Sequence, residues 1–285
     1  MSAFGGGFVT KHIVCYSGGH SSALVAIEVV RKFGANAVVL LNHNINPRVE
    51  DADIKRFKGD VAAYLDLQIT YANMVGWDAL DQFDVCVKAS AFKVNNGQEL
   101  CTNRLKTEPF MSWLAANVTG KDCVIYYGFD ANEQHRIQRR SGILGAQGYA
   151  TDYPLALWGE RTIQSTLEVG IARPNTYGVF KHGNCIGCLK AGLQHWYIVY
   201  CTRPDIWGKA KWAEEEIGYS IHADGYLEEY EDLFERMKRS GVPATEHIQP
   251  QSFWASAKRL AAHDRAGQLS MFTHAADARP CECFF

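Results

Sequence analysis

Short apolar runs rich in β-branched residues alternate with stretches of helical period through the first half of the chain, and few folds accept that order. His12-Ile13-Val14-Cys15-Tyr16 is one such run and ends in a glycine-containing turn. From Ser21 to Phe33 the apolar residues Leu24, Ile27, Val30 and Phe33 recur at the spacing of one helix face, and Gly34 supplies a stop. Ala37 to Leu41 is uninterruptedly apolar, as expected of a strand buried on both faces. From Glu50 onward Ile54, Phe57, Val61 and Leu65 mark a second amphipathic helix; Gln68 to Ala72 reads as a third strand and Cys123 to Phe129 as a fourth. Strands separated by helices pair in parallel, so the expected fold is α/β, a Rossmann-like doubly wound sheet whose ligands lie beyond the carboxyl ends of the strands.

Beyond about residue 170 helical patterns take over: Leu193 to Cys201, Pro204 to Ile217, Tyr226 to Arg239 and Gln251 to Ala266. The expected organisation is an α/β nucleotide-binding domain over 1–170, then a cysteine-bearing segment, a helical region and a tail over 171–285. The chain's 47% hydrophobic and 21% charged residues exclude a largely disordered protein. A net charge of -2 argues against a protein that wraps nucleic acid by bulk charge. No apolar run approaches the length of a membrane span, and MSAFGGGFVTKH has no secretory pattern, so a cytoplasmic protein is expected. The nine cysteines are too many to ignore and, being odd in number, fit a disulfide framework poorly; metal or redox chemistry suits them better.

The sharpest local signal is Tyr16-Ser17-Gly18-Gly19-His20-Ser21-Ser22, which follows the first strand and opens the first helix. Glycines that let a ligand approach the backbone, hydroxyl donors and a helix N-terminus all favour a phosphate or sulfate. The loop is neither a Walker A sequence nor the dinucleotide G-x-G-x-x-G. The competing reading is a plain strand-to-helix turn capped by a serine.

Ser17, Gly18, Gly19 and Ser22 resemble the S-G-G-x-D-S loop of the PP-loop ATP pyrophosphatases, with Ser21 in place of the usual Asp. That family binds ATP, releases pyrophosphate and leaves AMP on an activated substrate. A second stretch, Cys101 to Phe110, is similar to the Cys-Cys-x-x-Arg-Lys-x-x-Pro-Leu segment of the iron–sulfur members of the PAPS-reductase family. Cys101, Lys106 and Pro109 match it, and Thr102 replaces the second Cys. His182-Gly183-Asn184-Cys185-Ile186-Gly187-Cys188 supplies the downstream Cys-x-x-Cys. The resemblance implies a metal site of Cys101, Cys185 and Cys188, holding a 4Fe-4S cluster with one open iron, or zinc with His182 or His195 as a fourth ligand. Cys15, Cys86, Cys123 and Cys201 read as core thiols. Cys281 and Cys283 lie near the C-terminus, where the family keeps a nucleophilic Cys, so Cys283 is a candidate catalytic thiol.

The substrate side follows the fourth strand. Gly128, Glu133 and Arg136 resemble the family's G-x-R-x-x-E-x-x-R segment, with Asp130 where Arg is usual. Arg136, Arg139 and Arg140 have the chemistry of a bidentate phosphate clamp. Asn42 and His43 end the second strand, where a ribose or adenine would lie. The nucleotide set expected is therefore Ser17, Gly18, Gly19, His20, Ser21, Ser22, Asn42, His43, Gly128, Glu133, Arg136 and Arg140. Ser21, Ser22, Arg136 and Cys283 are the expected catalytic members. The resemblance implies ATP or PAPS, Mg2+ and adenylation-dependent sulfur transfer to an acceptor such as tRNA, DNA or a small molecule, by a chain that could form a homodimer. Sulfonucleotide reduction and a non-catalytic nucleotide-binding subunit are the alternatives.

Overall fold

β1 (Lys11–Cys15) lies at the centre of a five-stranded, all-parallel sheet, between β2 (Val38–Asn42) and β4 (Cys123–Tyr126). β3 (Ile69–Tyr71) and β5 (Ala150–Asp152) form the edges, giving the order β3-β2-β1-β4-β5. Ile13 sits in register with Val39 on one side and Ile125 on the other. The chain is an α/β protein of the doubly wound, Rossmann-like kind. The structure, a computed structural model, describes residues 10–94, 97–118, 122–183 and 185–262. Cys281 and Cys283 therefore lie outside the described residues.

Period-two alternation along the strands accounts for the layering. Val14, Tyr16, Leu40 and Tyr126 face one side, where α1 (His20–Phe33) and α2 (Ala52–Tyr64) pack Ala23, Ile27, Phe57 and Val61 against them. Ile13, Cys15, Leu41 and Ile125 face the other and are covered by two later helices. The connection from β3 to β4 carries α3 (Gln82–Lys88), α4 (Leu100–Thr102), a π turn over Asn103–Thr107 and α5 (Glu108–Asn117). α6 (Gln134–Gly145) links β4 to β5, and α7 (Pro154–Leu157) follows β5. Phe110 and Leu114 of α5 with Ile137 and Leu144 of α6 make the second helical layer.

The C-terminal half is helical as its periodicity predicts: α8 (Leu193–Thr202), α9 (Pro204–Ile217), α10 (Glu231–Arg239) and α11 (Pro250–Ala262). The stretch from Tyr226 divides into a 3₁₀ turn, Leu227–Tyr230, and α10. These helices bury Trp196, Tyr197, Phe234 and Phe253 in a core that also contains Ile45, Val49, Phe83 and Leu105. Residues on both sides of position 170 thus share one hydrophobic cluster. Among the described residues no helix is long and apolar enough to cross a membrane.

Candidate functional site

The strand order reverses between β1 and β4, since the chain builds outward through β2 and β3 before returning to the other side of β1. Doubly wound sheets open a crevice at such a point, at the carboxyl ends of the strands. A cleft of about 450 Å³ lies there. Ser17, Gly19, His20, Ser21 and Ser22 line it from the β1–α1 turn, Asn42 and His43 from the end of β2, and Gly128, Glu133 and Arg136 from the segment after β4. Gly18 and Arg140 are not in its wall. The C-terminal half contributes Tyr177, His182, Gly183 and Cys185, and the π turn contributes Lys106.

The turn is built by its own side chains. Gly19, not a serine, is the N-cap of α1, with extended backbone (φ -79°, ψ 158°) and no side-chain cap. Ser22 Oγ donates to the Gly19 carbonyl (2.8 Å), and Ser17 Oγ donates to Ser22 Oγ (3.2 Å). The first intrahelical bond runs from the Ala23 N–H to the Gly19 carbonyl, so the N–H groups of Ser21 and Ser22 have no intrahelical acceptor. They carry the positive end of a 14-residue helix at the cleft wall.

Gly18 has φ +86°, and a Cβ there would lie 2.6 Å from Lys58 Cγ and 2.7 Å from its Cδ. Its glycine requirement comes from the packing beneath the turn. Lys58 is itself buried, with Nζ bound to both carboxylate oxygens of Glu50 (2.8 and 2.9 Å). Burial lowers the Lys58 pKa against the pull of Glu50. Asn42 Nδ2 donates to the Tyr16 carbonyl, and the Tyr16 hydroxyl donates to the Lys58 carbonyl (3.2 Å). Asn42 and Lys58 thus fasten the turn from below.

Gly128 serves packing too. A Cβ there would stand 2.9 Å from the Ser22 amide nitrogen and 3.0 Å from the Ser21 carbonyl carbon, so the chain leaving β4 runs directly against the start of α1. Glu133 accepts from the Asp130 N–H (2.8 Å) and pairs with Arg136. The Arg136 guanidinium lies 4.2 Å from the Phe129 ring centroid, and its Nε is buried without a hydrogen-bond partner among the described residues. Arg140 lies over Tyr127 instead (5.3 Å), and Arg139 is exposed. The structure therefore brings Arg136 alone of the three arginines to the cleft.

Of the cleft histidines, His20 and His43 are held neutral. Burial, with Arg173 nearby, lowers His20 to about 4, and its Nε2 accepts from the Thr166 N–H (3.4 Å). Burial lowers His43 to about 3, and its Nδ1 donates to the Ala72 carbonyl. Cys15 also lines the cleft, but burial raises its thiol to about 12.

No protein-family model, curated protein or solved structure matches this chain.

Cys185 lines the cleft, while Cys188 lines a second, much smaller cavity with His182, His195 and Glu246. Cys101 packs, like Cys185, against the C-terminal core. His195 is committed at both ring nitrogens: Nε2 accepts from the Gly187 N–H (3.1 Å) and Nδ1 meets Glu246 Oε1 (2.6 Å). Among the described residues, no three His, Cys, Asp or Glu side chains gather as a metal ion requires. Cys86 and Cys123 are buried, and Cys201 packs against the core with its pKa raised by burial, as core thiols do.

Sequence reasoning missed Tyr177, Glu50 and Lys58. No local pattern marks Tyr177. Glu50 and Lys58 had a signal, because Lys58 falls on the apolar stripe of α2 beside Phe57 and Val61, where a lysine needs a buried partner.

Proposed function

We propose that this chain binds an adenine nucleotide, ATP foremost, with its phosphates against the Ser17–Ser22 turn, and activates an acceptor by adenylation with release of pyrophosphate. The observation that carries this reading is the convergence, on one cleft at the strand-order reversal, of a helix N-terminus and its serine hydroxyls with Arg136 and Lys106. The amides of Ser21 and Ser22 would stabilise charge on the departing pyrophosphate, and Arg136, steadied by Glu133, would neutralise it. Asn42 and His43 wall the side where the nucleoside would lie. Magnesium commonly meets protein through one or two carboxylates and the substrate's phosphates. Asp130 and Glu133 are the cleft carboxylates after β4 suited to it. The acceptor's nucleophile would form a bond to the α-phosphorus as the bond to pyrophosphate breaks.

Sulfur transfer to the activated acceptor, a nucleic-acid base or a small molecule, is the fuller form of the proposal, and Cys185 in the cleft wall supports it. The same cysteine favours a second reading, sulfonucleotide reduction. Pyrophosphate release from ATP, measured across candidate acceptors in parent and Ser21→Ala proteins, tests the proposal. Turnover in the parent, lowered on the order of tenfold or more in Ser21→Ala, is expected if Ser21 donates to the phosphates. Binding of PAPS with no binding of ATP would replace it with the second reading.

A further inference from the structure

The segment that closes the cleft from the C-terminal side presents a hydroxyl to the helix N-terminus. Tyr177 sits in a 3₁₀ turn, Asn175–Gly178, and its Oη accepts a hydrogen bond from the His20 N–H (3.0 Å), a contact spanning 157 positions of sequence. A Cβ built on Gly19 would lie 3.4 Å from that oxygen, so the hydroxyl stands directly over the turn.

The placement is firm. The Asn175 N–H donates to Asp53 Oδ2 (2.6 Å), Arg56 Nη2 donates to the Ala172 carbonyl (3.3 Å), and His247 Nε2 meets the Tyr177 carbonyl (2.7 Å). Farther along, Gly183 passes so close that a Cβ there would be 3.0 Å from Ile54 Cδ1 and 3.7 Å from Gly19 Cα. The segment is thus pinned at α2 and beside α11.

A tyrosine hydroxyl can accept one hydrogen bond and donate another. Here it accepts from a backbone amide at the positive end of α1, and among the described residues its own hydrogen has no acceptor. Tyr177 lines the cleft together with Ser17, Ser21 and Ser22. Accepting from the amide polarises the O–H and strengthens it as a donor.

We infer that the Tyr177 hydroxyl is a phosphate-binding donor of this cleft, passing the His20 amide's hydrogen bond on to a bound phosphoryl oxygen. The inference rests on the proposed function for the nucleotide that carries the phosphate, but the phosphate contact itself can be judged without it.

The test is calorimetric titration of the full chain and its Tyr177→Phe variant with inorganic pyrophosphate, ATP and adenosine, with thermal unfolding of both proteins as a folding control. The ring and its packing are kept, so the variant should melt with the parent. Pyrophosphate and ATP should bind on the order of tenfold more weakly or worse, the loss expected for one hydrogen bond to a charged group. Adenosine should bind unchanged, whereas a merely structural role would weaken all three ligands. Pyrophosphate binding as tight as the parent's, or tighter, would overturn the inference; a tighter value would make the hydroxyl a plug. If the parent binds pyrophosphate but neither ATP nor adenosine, the nucleotide reading fails and the pyrophosphate ratio still decides Tyr177. A parent that binds none of the three overturns both. If Tyr177→Phe melts early, Gly183→Ala, which presses on the same segment through Ile54, must weaken pyrophosphate while sparing adenosine, or the inference fails.

Discussion

Gly18 and Gly19 are neighbours with opposite duties. Gly18 combines a left-handed φ of +86° with contact on the Lys58 methylenes, and those methylenes cannot swing away while Nζ is held by Glu50. Gly18→Ala should therefore lower stability by at least about 1–2 kcal/mol, the cost of that backbone region for an L-residue, before any clash is counted. Gly19 has ordinary φ and room for a methyl, its nearest neighbours being Tyr177 Oη at 3.4 Å and Ser17 Oγ at 3.6 Å. Gly19→Ala should melt like the parent yet bind ATP on the order of tenfold more weakly, because the methyl intrudes where a phosphate meets the backbone. Melting curves and ATP titrations on the two variants separate the roles; equal stability loss in both would contradict the assignment. The sequence pattern SGG was enough to locate the turn but not to divide the labour, since Lys58 lies forty positions away and only the fold brings it beneath Gly18.

The site hangs on the way α1, α2 and the segment after β4 meet. Glu50 and Lys58 form a buried pair under the turn, with side-chain exposures of 7% and 1%. Glu50→Gln would leave a buried ammonium with half its partner and should cost roughly 3–5 kcal/mol, read as a lower midpoint in urea. A neutral outcome would mean that Lys58 escapes to solvent and does not fasten the turn. Gly128→Ala makes a different demand, because the atoms it meets at 2.9 and 3.0 Å are backbone of α1. Its overpacking should cost about 1–3 kcal/mol and displace Ser21 and Ser22 from the phosphates, so stability and ATP affinity fall together. The major elements were legible. The runs at His12, Ala37, Gln68 and Cys123 became β1 to β4, and Pro204 to Ile217 became α9 without adjustment. β5 was not, since Ala150–Asp152 is three residues of mixed polarity at a sheet edge, with too little apolar pattern to register. The divided 3₁₀ turn and α10 read as one helix because both present the same apolar face, Leu227, Tyr230, Leu233, Phe234 and Met237, to the core.

Across the whole molecule, buried neutral histidines set a pH dependence. Burial lowers His12, His20, His43 and His222 below the ordinary histidine pKa of 6.5, His20 to about 4 and His43 to about 3. Between about pH 4 and 6.5 the unfolded chain binds protons at these positions and the folded chain does not, so stability rises with pH there and falls on acidification. Glu214 works the other way, its pKa raised by burial, but it is one group against four. Urea midpoints of the unliganded protein should be lower at pH 5 than at pH 7; an equal or higher midpoint at pH 5 would contradict the neutral-histidine assignment. The cleft is likewise a property of the whole, since its walls come from the β1–α1 turn, the end of β2, the π turn, the segment after β4 and the chain around Tyr177 and Cys185. Sequence alone exposed the β1–α1 turn, the end of β2 and the segment after β4, because each directly follows a legible strand, whereas the Tyr177 wall exists only once 157 positions of chain have folded back. The central claim is that phosphates of an adenine nucleotide rest on Ser17–Ser22. Amide chemical shifts of the full chain, recorded with saturating ATP and separately with adenosine, test it most directly. ATP should move the Gly19, Ser21 and Ser22 amides together with those near Asn42 and His43, and adenosine only the latter group. Saturating ATP that leaves the Gly19, Ser21 and Ser22 amides where they were would contradict the account.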